Sequence, residues 1–180
     1  MPTVFSHAAA AMSLATVVSP APARLSVAAV AALCAVMPDA DVVAFRFGVP
    51  YDHVLGHRGL SHSLAFAAAL GAAAARLTPW ATPFWRRWLF FSAVTASHGL
   101  LDAMTDGGLG VAFFAPFSDT RYFLPWRPIE VSPISVRAFL SQRGMAVLES
   151  ELIWVWMPAV ALAIGGLAVR RLLRDRRAHR

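Results

Sequence analysis

Residues 84–104 read FWRRWLFFSAVTASHGLLDAM. Two features of this stretch decide the fold. It is apolar over most of its length, and a helix of about 20 such residues crosses the hydrocarbon core of a bilayer. Near its end it carries His98 and Asp102, four positions apart and therefore on one helix face. A carboxylate at the hydrocarbon boundary is costly unless it is paired or bound to a metal. The expected span thus ends in a polar site.

The rest of the 180-residue chain extends this pattern. Hydrophobic residues make up 58% and charged residues 14%, against roughly 45–50% and 25% in soluble domains. Mean hydropathy is +0.57. So few charges cannot cover a water-facing surface, which excludes a disordered chain, a coiled coil and a free cytosolic enzyme. The length fits one domain. Four further apolar segments cover Val4–Val18, Leu25–Met37, His62–Leu77 and Leu152–Leu173. The last reaches span length with 84–104, and the others are shorter. Ala-rich faces let helices approach closely in lipid. Pro20, Pro22, Pro38, Pro79 and Pro83 mark the joints, with Pro38 expected to end the second segment.

Residues 105–150 mix Gly and Pro with polar and aromatic side chains. They read as an irregular extramembrane cap, with Phe114, Phe117, Tyr122 and Trp126 at headgroup level. The expected fold is all-α: a multi-pass membrane helical bundle of about 4–5 helices with that cap. It forms a single domain over 1–180, with core 1–112, cap 105–150, last membrane helix 152–173 and basic tail 170–180. Ala8 to Val18 resembles a signal-peptide core followed by a small-residue site at 21–23, but no basic residue precedes Arg24, so an uncleaved helix is expected. Cys34 stands alone in an apolar run, as a buried small hydrophobe does.

The ionisable residues near the apolar segments are not scattered. His7 starts the first segment; Asp39 and Asp41 follow the second; His57 and His62 flank the start of the third; His98 and Asp102 close the fourth; Glu149 and Glu151 precede the fifth. Antiparallel succession of helices joined by short connections puts all of these on one side. Three Asp and four His converging there need a cation. Arg58 offsets one charge, and a divalent metal the rest. His nitrogen with Asp oxygen suits zinc, and also manganese or iron. The expected ligands are His7, Asp39, His57, His62, His98 and Asp102. Asp39 or Asp41 is expected to bridge metals or orient water, Arg58 to hold a phosphate oxygen or pair with an Asp, and Ser61 to cap the third helix. His53 and His179 are read as ordinary polar residues.

Four motifs then resemble the YdjM-type family of bacterial inner-membrane proteins, described as metal-dependent hydrolases and as LexA-binding. They are Ser6-His7, Met37-Pro38-Asp39-Ala40-Asp41, Gly56-His57-Arg58-Gly59-Leu60-Ser61-His62-Ser63 and Ser97-His98 through Asp102 to Thr105. The family pattern often has His after the second Asp, where this chain has Val42, and Glu149 is the match for its late acidic position. The pattern is similar in turn to zinc-dependent phospholipase C and P1-type nucleases, all-α enzymes with His/Asp metal clusters. That resemblance implies hydrolysis of a phosphoester. A site at the membrane edge favours a lipid-linked or amphiphilic substrate, so membrane lipids are the expected partners.

All 16 basic residues are Arg, and six fall in the last eleven positions. That tail follows an apolar run without interleaved aromatics, as a juxtamembrane tail does, so nucleic acid is not the expected partner. On the side opposite the site lie Arg24, Arg76, Arg86, Arg87 and the tail. The positive-inside rule makes that side cytoplasmic and the site extracytoplasmic in the bacterial inner membrane. A haem protein would use facing His such as His62 and His98 but has no need of three Asp. A transporter would place polar groups at the bilayer midplane. A non-catalytic metal-binding scaffold or regulatory protein remains the alternative to an enzyme.

Overall fold

The computed structural model describes residues 1–19, 24–78 and 80–178. The expectations placed on Pro20, Pro22, the stretch 21–23, Pro79 and His179 lie outside them. The described residues are helical with no strand. Helices α1 (Val4–Val18), α2 (Arg24–Val36), α3 (Leu64–Leu77), α4 (Phe84–Ala103), α5 (Val136–Phe139), α6 (Gln142–Glu151) and α7 (Met157–Ala178) follow in order. Two isolated bridges, Thr105 with Ile129 and Val111 with Tyr122, pin the loops of the cap.

The packing follows from residue size. α1 packs on α2, α2 on α4, α4 on α3, and α1 on α7. The shared core is built from Ala11, Ala15, Val27, Ala31, Ala35, Ala75, Phe91 and Val94. Small side chains let backbones come close, and dispersion contacts between them replace the hydrophobic drive that lipid does not supply. One close approach is at Gly71 of α3, where a Cβ would lie 2.6 Å from the Ser92 backbone nitrogen.

Three expectations are corrected here. The α-helix of the second segment ends at Val36, just before Pro38, but the chain does not leave the helical path there. Pro38 sits at the start of a 3-10 run, Met37–Phe47, because a proline near a helix start gives up an N–H that has little to bond to. The helical path Arg24–Phe47 is therefore long and apolar enough to cross a membrane. The last helix is longer than 152–173: Gln142–Arg176 is one helical path that contains an apolar stretch of span length, so part of the cap is regular helix. Its middle, Leu152–Trp156, is a π segment. Pro158 follows it and lacks the N–H that would bond the Trp154 carbonyl, which the wider turn accommodates. Thirdly, among the described residues two helical paths meet the length and hydropathy for a span; α1 and α3 are apolar but shorter, and the 20-residue α4, expected to span, carries Arg86, Arg87 and Asp102.

α7 leaves most of its apolar side chains uncovered, with Met157, Val160, Ile164, Val169 and Leu172 all exposed. A stripe of this kind is stable against hydrocarbon and not against water. The close α3–α4 contact supplies a test. Gly71→Ala should destabilise the protein by about 1–3 kcal/mol through overpacking. Gly165→Ala, where a Cβ meets nothing within 4 Å, should leave the thermal midpoint in detergent unchanged or slightly higher.

Candidate metal centre

The site is assembled by a loop that the sequence forces into one shape. Gly59 has no room for a Cβ, which would lie 2.2 Å from the Val54 carbonyl oxygen. Arg58 beside it adopts φ +62°, a left-handed conformation that costs a non-glycine residue roughly 1–2 kcal/mol. Surrounding bonds hold it there. Its backbone N–H donates to Asp41 Oδ2 at 3.2 Å, and its carbonyl accepts from Ala112 at 3.0 Å. Its fully buried guanidinium lies 3.0 Å from Asp102 Oδ2 through Nε and donates to the Gly107 carbonyl and Thr105 Oγ1, both at 2.9 Å. A 3-10 turn, Leu60–His62, follows. Ser63, not Ser61, caps α3 by accepting from Phe66 at 3.1 Å. The Ser61 hydroxyl instead donates to Asp41 Oδ2 at 2.5 Å.

Helix ends then bring the expected residues together. Asp39, His62, His98 and Asp102 form one buried group in which each offers a ligand atom. The Nε2 atoms of His62 and His98 are 3.0 Å apart. His98 Nε2 is 3.3 Å from Asp39 Oδ1 and 3.9 Å from Asp102 Oδ2. His62 Nε2 is 3.7 Å and 3.4 Å from those same oxygens. Donors bonded at about 2.1 Å to a tetrahedral ion stand about 3.4 Å apart, which is the spacing seen. His7 stacks on His98 with ring centroids 3.7 Å apart, and its Nε2 lies 3.5 Å from Asp102 Oδ1.

Hydrogen-bond accounting shows that these atoms fit a cation. His98 Nδ1 lies 2.6 Å from the Ala35 carbonyl. A carbonyl only accepts, so Nδ1 holds the hydrogen and Nε2 presents a lone pair to the cluster. Burial alone would lower the pKa of His62, but the carboxylates of Asp102, Asp39 and Asp41 around it outweigh that and hold it up to about 10. A metal must therefore displace a proton from this ring. One proton does not satisfy the site: both oxygens of Asp39, both of Asp102 and both ring nitrogens of His7 are buried without a hydrogen-bond partner. Buried polar atoms in that state are rare and need a reason. Three carboxylates against Arg58 leave two negative charges, which one divalent ion balances. The residues present thus fit a divalent metal ion.

A second group, Asp41, His57 and His62, also meets the spacing for a metal, but its atoms already have partners. Asp41 Oδ1 meets His57 Nδ1 at 2.7 Å. Asp41 Oδ2 accepts from Ser61 and Arg58 and lies 3.2 Å from His62 Nδ1. Such a carboxylate orients a ligating histidine from behind. His57, expected as a ligand, is thereby bonded to Asp41 and does not belong to the first group. Arg58 pairs with Asp102, not with Asp39 or Asp41 side chains. His53 is exposed.

Glu149, expected at the late acidic position, is exposed, while Glu151 is fully buried. The Glu151 carboxylate accepts from Thr3 N, Thr3 Oγ1 and Ser6 Oγ at 2.5, 2.6 and 2.7 Å. It fixes the start of α1, and so His7. The sequence alone gives no sign of this role, because the partners Thr3 and Ser6 lie about 150 residues from Glu151 and meet it only when the end of α6 packs on α1.

With this geometry in place, comparison with known proteins is informative. The pattern of the YdjM inner membrane protein family matches residues 1–174. The chain belongs to this family. It is 40% identical over 170 residues to inner membrane protein YbcI of Escherichia coli (strain K12), which covers 90% of this chain and 95% of the relative. No solved structure matches. The YdjM family and this relative are inner membrane proteins, in keeping with the exposed apolar face of α7.

Elemental analysis of the detergent-purified protein separates ligands from orienting groups. The wild type should carry a divalent metal, and His62→Ala with Asp102→Ala should carry none. Asp41→Asn should keep the site but weaken it roughly 10–100-fold, read by competition with a chelator.

Proposed function

We propose that this YdjM-family chain is a multi-pass inner-membrane metal-dependent hydrolase acting on a phosphoester of a lipid-linked or amphiphilic substrate. The observation that supports it is the set of buried, unsatisfied carboxylate and histidine atoms gathered where α1, α3 and the 3-10 run after α2 begin and α4 ends. Asp39, His62, His98 and Asp102 would hold the ion, with His7 beside Asp102. A divalent ion, zinc by the chemistry of this donor set, with manganese or iron as alternatives, supplies acidification of water and polarisation of a phosphoryl oxygen. Asp39, with two oxygens free of hydrogen bonds, is the carboxylate suited to orient a water and take its proton. Asp41 holds His62 and His57 in place. Arg58 is committed to Asp102, Thr105 and Gly107, so its part is to position Asp102 and not to bind phosphate.

One observation favours a second reading, a non-catalytic metal-binding scaffold. The four-residue group is closed to solvent: Asp39 is 5% exposed, His62 3%, and His98 and Asp102 0%. A catalytic centre here must open to admit substrate. Turnover decides between the two. The metal-loaded protein in mixed micelles should hydrolyse phosphodiester or phospholipid substrates. Asp39→Asn should lower that rate by at least about a hundredfold, in line with loss of a general base. Metal binding without any turnover across such substrates would support the scaffold.

Counted along the sequence, ten Arg against Asp175 fall at the segment ends expected on the side away from the site. The C-terminus is accordingly proposed as cytoplasmic and the site as extracytoplasmic. A phosphatase reporter inserted in the cap should be active, and one fused at the C-terminus inactive; the reverse pattern would overturn this orientation.

A further inference from the structure

α1 carries His7 in its first turns and Ser19 just past its last residue. A 15-residue helix is about 22 Å long, so Ser19 marks the end of the bundle away from the metal centre. There the Arg170 guanidinium donates to the Ser19 carbonyl, tying α7 to the end of α1. Between this point and the start of α2 is a cavity of about 450 Å3 lined by Arg24, Leu167, Arg170, Arg171, Arg174 and Asp175. Four guanidiniums face one carboxylate. Arg24 Nε is buried there with no hydrogen-bond partner among the described residues. Convergent guanidiniums repel one another, and an unsatisfied buried donor of this kind costs stability until an acceptor arrives. The fork of a guanidinium matches a phosphate with paired hydrogen bonds.

The apolar surroundings narrow the ligand. Leu167 lies in the cavity wall, and Val160 and Ile164 precede it on the same face of α7 at helical spacing. These two also line an apolar groove of about 420 Å3 with Leu152, Trp156, Met157 and Ala161. The cationic cavity and the uncovered apolar groove thus follow one another along one face of a helix apolar enough to span a membrane. A soluble phosphate uses only the first part; a phospholipid uses both.

We propose that this cavity binds the phosphate of an anionic phospholipid, with an acyl chain lying along Leu167, Ile164 and Val160 of α7. Arg24 and Arg170 clamp the phosphate between α2 and α7, and Arg171 and Arg174 supply the charge that selects an anionic over a zwitterionic headgroup. The bound lipid joins the start of α2 to the end of α7. The inference rests on the membrane location proposed above and is independent of the metal centre.

Native mass spectrometry and thermal unfolding of the full-length protein in detergent test it, with phosphatidylglycerol, phosphatidylcholine and inorganic phosphate as separate probes. Phosphatidylglycerol should be retained at about one per chain and raise the thermal midpoint, while phosphatidylcholine and inorganic phosphate do neither. At about fivefold per cationic side chain, Arg24→Gln with Arg170→Gln and Arg174→Gln should lower phosphatidylglycerol affinity roughly a hundredfold. Metal content should stay at the wild-type level. Asp175→Asn removes the carboxylate of the cavity and should tighten binding roughly fivefold. Equal retention of both lipids, full protection by inorganic phosphate, or a helical triple variant with wild-type affinity would overturn the proposal. Should the triple variant fail to fold, unchanged affinity in Asp175→Asn would overturn it alone.

Discussion

Two carboxylates, Asp39 and Asp102, lie beyond the reach of water with no hydrogen-bond donor on any of their four oxygens. Taking such groups out of water is among the costliest acts a folded chain can perform. Everything around them is arranged to make it tolerable. Arg58 brings a guanidinium to one side of Asp102. His62 and His98 turn their Nε2 atoms inward, held by Asp41 and the Ala35 carbonyl behind them. With Asp41 counted, three carboxylates against Arg58 leave a deficit of two charges, which a divalent ion would remove. The arrangement of helix ends is the means by which distant residues arrive at this point together.

Small residues make that arrival possible. Ala31 and Ala35 of α2 and Ala11 and Ala15 of α1 are fully buried, so the helices carrying Asp39 and His7 close on α4 without bulky intermediaries. The Ala35 carbonyl that fixes the His98 tautomer is within reach because no larger side chain intervenes. Packing and site chemistry are therefore one problem: a larger residue in the Ala stripe would push apart donors whose spacing is set to a few tenths of an ångström. At the far end, α7 diverges and shows its apolar side chains to its surroundings.

Much of this was legible in the sequence. The helix bounds of α1 and α4 follow from apolar runs ended by polar or breaking residues. The gathering of His7, Asp39, His62, His98 and Asp102 follows from their alternation between starts and ends of successive segments. Three things were not legible. Pro38 reads as a stop, because the 3-10 continuation depends on tertiary contacts of Asp39 and Asp41. The cap reads as irregular, because α6 is polar and Pro158, whose missing N–H the π segment accommodates, reads as a breaker rather than as part of a continuing helix. The partners of Ser61 and Glu151 lie 20 and about 150 residues away, and no local pattern reports such pairings.

The left-handed turn at Arg58 has a bearing on how the molecule is assembled. Its backbone is unfavourable until Asp102 from α4 and Asp41 from the 3-10 run are both in place to grip it. The loop 54–62 accordingly cannot take its final shape ahead of the helices it touches. Closure of the loop over the histidines thus depends on the ends of α4 and of the 3-10 run being docked against it. A site closed in this way would offer a metal ion a pocket whose walls are already standing.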